Sequence, residues 1–539
     1  MSLNVAAVKN RIALLPSYTK AILRGATSPQ YAAALTEAEK QIYQNQQANP
    51  ESKTARTAGA YFANENVLAG SMTSSGVAIA NANGSREVPG WEDRSYKIKL
   101  GPGITFIEPA SVYSDLLKEG TLNPELAVNY TAPFGTTKTR QGLADVMNAR
   151  IVEEQAYSAD EIIQTSGATE ALELGLEAVS QLYPGSNVLS AGFSYYTAFF
   201  TADQKGLSCN RAMPEVGEGE EKTRFQPTAA EIAPFITEST KSLLLTLPNN
   251  PTGESYDIDS IKDILLLSKE RNLLVLFDAI FEEMSLDEET QFSPVLNMAQ
   301  ELGMLESMIV IDSLSKRRGL AGARLGWLAT KNQQVLSTLE NTVLARRCNP
   351  ALVYEPIAQF EGLASQLSKQ VALFRGNAPQ QRKFAQELLL QRGAPWSVDA
   401  FLSMYQQWDE WRTVSQDYYR QNFEIVQFAL DGFAKAGSFT EGSFNTFVKL
   451  GENVSSSDFM AKLMLLTGTY TQVGPCFGIS EKVWNEQLGL WARVSFATER
   501  KDLIEGITRM IALASAYQEF QLGDDSKYPA LNISYDSQR

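Results

Sequence analysis

Lys316, Ser313, Ser315 and Arg324 crowd one short stretch, MIVIDSLSKRRGLAGARLGW (308–327), and together they could do carbonyl chemistry. The apolar run Met308 to Ile311 reads as a buried strand, and Lys316 follows it at the mouth of a polar turn. Desolvation and neighbouring cations there favour the neutral amine, the form that attacks a carbonyl. The serines and Arg324 could hold a phosphate, helped by backbone N–H groups of the turn. A solvated loop of this composition would look the same, so other segments must decide.

Two upstream segments supply partners. SLLLTLPNNPTG (242–253) is an apolar strand ending in a Pro/Asn/Gly turn, and LLVLFD (273–278) is a second strand that ends on Asp278. Strands with polar ends on one edge are what an open parallel α/β sheet presents at its ligand crevice. Asn250, Asp278 and Lys316 would then converge on an aromatic aldehyde with a ring nitrogen.

The chain contains no histidine, which excludes Ser-His-Asp hydrolases, Cys-His proteases and His-ligated zinc enzymes. Proton transfer near neutral pH needs another group, and a lysine of lowered pKa is the best available. With 539 residues, 44% hydrophobic and 20% charged, the composition is that of a globular chain with two or more domains. Its 47 basic and 62 acidic residues leave a net charge of −15, which argues against a nucleic-acid or anionic-membrane surface. Cys209, Cys348 and Cys476 are scattered with no metal-type spacing and read as free thiols of a reducing compartment, so no metal is expected. MSLNVAAVKNRIALLPSY has no continuous apolar core, and no run approaches a membrane span. A cytoplasmic location is expected.

Helical spacing is read in 5–26 and 27–60, and 63–94 is Gly/Ser/Asn-rich and irregular. Helices are expected at 141–153, within 165–183, at 257–271 and at 331–347, alternating with strands that include 187–191. From 355 to 437 the chain reads as mostly helical, and strands follow at 444–450, 470–474 and 492–497, with a helix between the first two. The expected divisions are 1–95 as an N-terminal arm, 96–350 as the large domain, and 351–539 as a smaller α+β domain with a helical insertion.

Six motifs in order, YTAPFG (130–135), TSGATEAL (165–172), NNPTG (249–253), FDAIFEE (277–283), SLSKRRGLAGARLG (313–326) and LWARVSFA (490–497), resemble those of the class I/II aminotransferases. These are fold-type I pyridoxal-phosphate enzymes, and the likeness covers most of 95–515. The resemblance implies a mostly parallel sheet with helices on both faces, a small C-terminal α+β domain and here an extended N-terminal region. It also implies pyridoxal 5'-phosphate held on Lys316 as a Schiff base, with Lys316 shuttling a proton and Asp278 pairing with the ring nitrogen. By the same resemblance Asn250 bonds the ring 3-oxygen, Tyr195 (or Tyr196) stacks on the ring, and Ser313, Arg324, Gly167 and Ala168 hold the phosphate. Gly103 and Arg493 would meet the substrate carboxylate, and Tyr130 would reach the partner's site across a homodimer.

The implied activity is transfer of an amino group between an L-amino acid and a 2-oxo acid. Three positions depart from the family pattern. Phe281 stands where most relatives carry tyrosine, Ala198 where some aspartate aminotransferases carry histidine, and Cys476 where a glycine is usual. Phe281 keeps a second reading open, a decarboxylase or lyase on the same scaffold. A ligand-sensing regulator would need a DNA-binding segment, and none is read here. Arg346 and Arg347 lie near a second carboxylate clamp of some relatives, although adjacent arginines at a helix end are also ordinary surface charge.

Overall fold

The structure, a computed structural model, describes residues 98–521 together with Ala13. Within that span it leaves out 102, 104, 124–129, 131, 153–155, 215–221, 287–291, 347–351, 375, 432, 435, 453, 455, 478–483 and 485–487. Apart from Ala13, the elements expected before residue 95 lie outside the described residues. So do Arg347 and Cys348.

Numbered in chain order, the strands that build the largest sheet are β2 (Ile162–Thr165), β3 (Asn187–Ala191), β4 (Ser208–Ala212), β6 (Thr240–Thr246), β7 (Leu274–Asp278), β8 (Met308–Ser313) and β9 (Gly326–Ala329). They lie side by side in the order β2-β9-β8-β7-β6-β3-β4. The run from β8 to β4 is parallel throughout, while β9 is antiparallel to both of its neighbours. β7 and β8 are buried along their whole length and β6 everywhere but Lys241, which is why their central stretches read as apolar runs. Alternate residues still sort to opposite faces. Leu243, Leu245, Phe277 and Val310 join one core layer, and Leu244, Leu276, Ile309 and Leu328 join the other.

The expected helices are present. Thr136 caps Thr137–Ala149 by accepting from Thr139 N, and Asp257 caps Ile258–Glu270 by accepting from Ser260 N. Short strands at β2 and β4 and the helix Tyr196–Gln204 complete the large sheet's surroundings.

A second sheet has the order β13 (Gln472–Val473), β14 (Leu490–Ser495), β11 (Asn445–Gly451), β10 (Ala436–Ser438) and β5 (Lys222–Thr223). Beside it β1 (Ile98–Lys99) pairs in parallel with β12 (Thr469–Tyr470). The three late strands and the helix Ser456–Thr467 between the first two match the spacing read in the sequence.

The helix Val398–Leu430 belongs to both halves. Phe401, Tyr405 and Trp408 sit in the core of the large sheet, while Tyr419, Ile425 and Leu430 sit in the core of the second sheet. Packing therefore crosses the division expected at residue 350, since Ile357, Phe360 and Leu363 also share the large sheet's core. No helix among the described residues is long and apolar enough to cross a membrane.

Helices Thr137–Ala149 and Glu355–Phe374 touch through glycines. A Cβ on Gly142 would overlap the Ala358 carbonyl, and one on Gly362 would lie 2.5 Å from the Gly142 carbonyl oxygen. Backbone cannot retreat from such contacts as a flexible side chain can. Gly142→Ala should therefore destabilise the fold by about 1–3 kcal/mol, read as a lower denaturant midpoint. An unchanged midpoint would show that the two helices do not meet this closely.

Candidate active site

The parallel strands β6, β7 and β8 end on one side at Thr246, Asp278 and Ser313, and a cavity of about 380 Å3 opens there. That volume is within the range of small-molecule sites. Of the residues singled out in the sequence, Gly103, Ala168, Tyr195, Asn250, Asp278, Ser313, Lys316, Arg324 and Arg493 all line it. Ser315, Tyr196 and Phe281 line it too.

Lys316 rides on a single helical turn, Leu314–Arg317, whose cap Ser313 accepts from Ser315 N. Its ammonium donates to the Gly103 carbonyl. Burial, and then the positive charges of Arg493 and Arg324, push its pKa down to about 8 against the opposing pull of Asp278.

Asp278 is the last residue of β7, in register with Ile311 of β8. It is buried and forms no ion pair among the described residues. Burial raises its pKa to about 7, the Ile280 N–H works against that rise, and the neighbouring Asp312 adds to it. Ala198 lies in the buried layer on one face of the sheet, so no imidazole stands behind Asp278. The charged neighbour is Asp312 instead.

Arg493 enters from the second sheet, on β14. Its Nη1 donates to Asn250 Oδ1 at 2.6 Å and its Nη2 to the Gly101 carbonyl. The guanidinium lies 5.3 Å from the centre of the Phe477 ring. It is buried without a carboxylate partner among the described residues, and its Nε has no acceptor. Burial lowers its pKa to about 10.

At the opposite wall the helix Ala168–Leu182 begins at Gly167 with no side-chain cap, leaving its first N–H groups available. Gly167 has φ of +89°, which favours glycine, and a Cβ there would push against the Arg324 guanidinium. Arg324 itself donates to Ser166 O at 2.7 Å and to Ala321 O at 3.0 Å.

Tyr195 and Tyr196 both reach the cavity, their rings 4.8 Å apart, so the choice between them stays open. Phe281 is buried edge-on to Phe444 at 5.2 Å and brings no hydroxyl. Tyr130 is 95% exposed and does not line the cavity of its own chain. The side chain of Arg346 is outside what is described.

Sequence reasoning missed Gly101, Tyr470, Gln472 and Phe477, which also line the cavity. Gly101 is the glycine that Arg493 touches, and a Cβ on it would come 2.6 Å from the Tyr470 ring. At Gly103, by contrast, a Cβ would meet nothing closer than 3.9 Å. The signal for Gly101 was present in the LGPG turn. Tyr470 and Gln472 follow the helix Ser456–Thr467 outside the motifs read in the sequence, and Phe477 adjoins Cys476, noted there only for its departure from the family pattern.

This arrangement, a parallel sheet whose strand ends face a second small sheet across one crevice, is the fold-type I aminotransferase architecture. Solved structures agree: a Pyrococcus protein designated A1 matches with TM-score 0.61 at 20% identity, over 83% of this chain and 96% of that one. The aspartate aminotransferase of Thermotoga maritima matches with TM-score 0.60 at 18% identity, over 82% and 95%. Residues 116–349 match the family model for aminotransferase class I and II. The putative aminotransferase YugH of Bacillus subtilis is 30% identical over 236 residues, 44% of this chain and 57% of YugH. The chain thus spans little over half of that relative's length.

The amine is the group whose charge state the site sets most directly. In the protein without added cofactor, the rate of Lys316 modification by a small amine reagent such as cyanate should rise with pH. Because the neutral form reacts, the half-point should fall near pH 8, not at about 10.4 as for free lysine. Asp278→Asn should move it lower still, by removing the one negative charge that supports the ammonium. A half-point at the ordinary lysine value would contradict the geometry.

Proposed function

We propose that this protein is a pyridoxal-phosphate-dependent aminotransferase that moves an amino group between an L-amino acid and a 2-oxo acid. Lys316 would hold the cofactor through its amine, which lines the cavity. The observation that carries the reading is the meeting of Lys316, Asp278 and Arg493 in one cavity, the acid and the guanidinium both buried without an ionic partner among the described residues. The residues fit the cofactor. A buried carboxylate awaits a cationic ring nitrogen, and a helix N-terminus backed by Arg324 awaits a phosphate.

When bound, that cofactor supplies an aldehyde carbon and an electron-accepting ring. Arg493 grips the substrate α-carboxylate with its planar fork, and Asn250, hydrogen-bonded to it, fixes the fork's orientation. Lys316, with a pKa near 8, can take a proton from the substrate Cα and return it. Asp278 holds a proton at the ring nitrogen. Tyr470, Phe477 and Phe281 exclude water around the reacting atoms. Ser313, Ser315, Arg324 and the N–H groups of Gly167 and Ala168 hold the phosphate, while Gly103 closes over the amine.

A cytoplasmic homodimer goes with this reading. The support is an exposed Tyr130, placed to reach a partner's site, and the buried cysteines Cys209 and Cys476, neither of them in a disulfide. One observation favours a second activity, decarboxylation or lysis of an amino acid. Phe281 faces the cavity without the hydroxyl that would steady the ring oxygen.

Arg493→Lys keeps the charge and loses the fork, so KM for amino acids should rise by roughly ten- to a hundredfold. Amines that lack the carboxylate should be poor substrates of the parent and little changed by the substitution. If such amines react with the parent as well as amino acids do, Arg493 is structural and the α-amino-acid assignment fails.

A further inference from the structure

Behind the Lys316 turn lies a buried cluster of charges that touches neither cofactor nor substrate in the reading above. At its centre is Asp312, fully buried, four residues before the lysine. Its Oδ2 accepts from Arg150 Nη1 at 2.6 Å and from Arg317, and its Oδ1 accepts from Ser313 N at 2.7 Å. Arg317, the residue after Lys316, also donates to Glu283 at 2.7 Å and lies 5.5 Å from the centre of the Trp327 ring. Arg150 pairs with Glu282 as well. Arg318 pairs with Glu283 at 2.9 Å and Glu361 at 3.2 Å, and Glu361 accepts from Trp408 and Tyr113. Arg412, from the long helix, faces the same group.

A turn of four residues cannot hold itself together in water, because helix nucleation is unfavourable. Something outside the turn must set where its side chains point. Neighbouring residues on a helical turn diverge by about 100°, so Lys316 can face the cavity while Arg317 faces the cluster. Fixing Arg317 therefore fixes Lys316. The backbone N–H of Ser313, held by the same aspartate, fixes the start of the turn.

We propose that Asp312 and Arg317 are positioning residues for Lys316, a buried ion pair that presents the amine to the cavity. The proposal rests on Lys316 being the cofactor lysine. Breaking the pair releases the turn without removing any group that lines the cofactor's place.

The test uses the full chain with added pyridoxal 5'-phosphate, comparing the parent with Asp312→Asn and Arg317→Lys, each also combined with Lys316→Ala. The rate of cofactor attachment is followed by quenching with borohydride at intervals and measuring the label on the Lys316 peptide by mass spectrometry. Condensation of the amine with the aldehyde releases water, and borohydride adds a hydride to leave a stable secondary amine. Non-covalent affinity is read by equilibrium dialysis in the Lys316→Ala background.

Asp312→Asn should slow attachment by about tenfold or more, and Arg317→Lys by less. In the Lys316→Ala background both should leave cofactor affinity within about twofold. Equal losses in that background would show a generally damaged pocket and overturn the proposal, as would an unchanged attachment rate. If Asp312→Asn fails to fold, Arg317→Lys, which keeps every charge, decides alone. No label on Lys316 in the parent would overturn the reading of the site itself, and this proposal with it.

Discussion

Buried charge must find a partner, and this cavity holds two charged groups, Asp278 and Arg493, with no ion-pair partner among the described residues. An ion taken out of water carries an effective penalty of several kcal/mol unless it is paired. Asp278 answers that penalty by holding its proton up to about pH 7, and Arg493 by easing toward about 10. Neither leaves the site. The sheets keep them there, so a ligand with a cationic ring nitrogen and one with a carboxylate restore what burial removed. The contrast lies a few residues away, where Asp312, Glu282, Glu283 and Glu361 interlock with Arg150, Arg317 and Arg318. Charges in that cluster are paired with one another; Asp278 and Arg493, which face the cavity, are not.

The two unpartnered charges come from different sheets, so the site depends on how those sheets are joined. The turn after β6 does much of the joining. Glu441 N and Gly442 N both donate to the Gly253 carbonyl, and Ser438 donates to Thr252 O at 2.7 Å. A Cβ on Gly253 would lie 2.5 Å from the Asn445 carbonyl oxygen, so glycine lets this turn press against β11. Asn250 in the same turn reaches Arg493 directly. The helix Val398–Leu430 adds a second brace, bonding Thr105 through Tyr419 at 2.6 Å and Glu108 through Trp411 at 2.6 Å. Arg493 and Lys316 are thereby held at a fixed separation across the cavity.

Much of this was legible in the sequence, for a physical reason. Strands buried on both faces write themselves as apolar runs, and a polar residue ending such a run marks the edge where ligands bind. Asp278, Asn250 and Lys316 were visible that way. Arg493 was legible only through its motif, because an arginine on a strand is ordinarily surface charge. Tyr470 and Gln472 carried no signal, since they follow a helix whose packing does not show which cavity comes next, and Phe477 was reached only through its neighbour Cys476. The long helix could not be divided between two cores because a helical period is the same whichever core it faces. Gly101 and Gly103 were indistinguishable as letters, and only the Tyr470 ring beside one of them separates their roles.

The central claim is that the cavity's unmatched charges serve amino-group transfer. The most direct measurement mixes the cofactor-loaded protein with an L-amino acid and no 2-oxo acid, and counts product per site. About one equivalent of the matching 2-oxo acid should form, then arrest, with turnover resuming when a second 2-oxo acid is added. Continued release of carbon dioxide or ammonia from the amino acid alone would contradict it and favour the lyase reading.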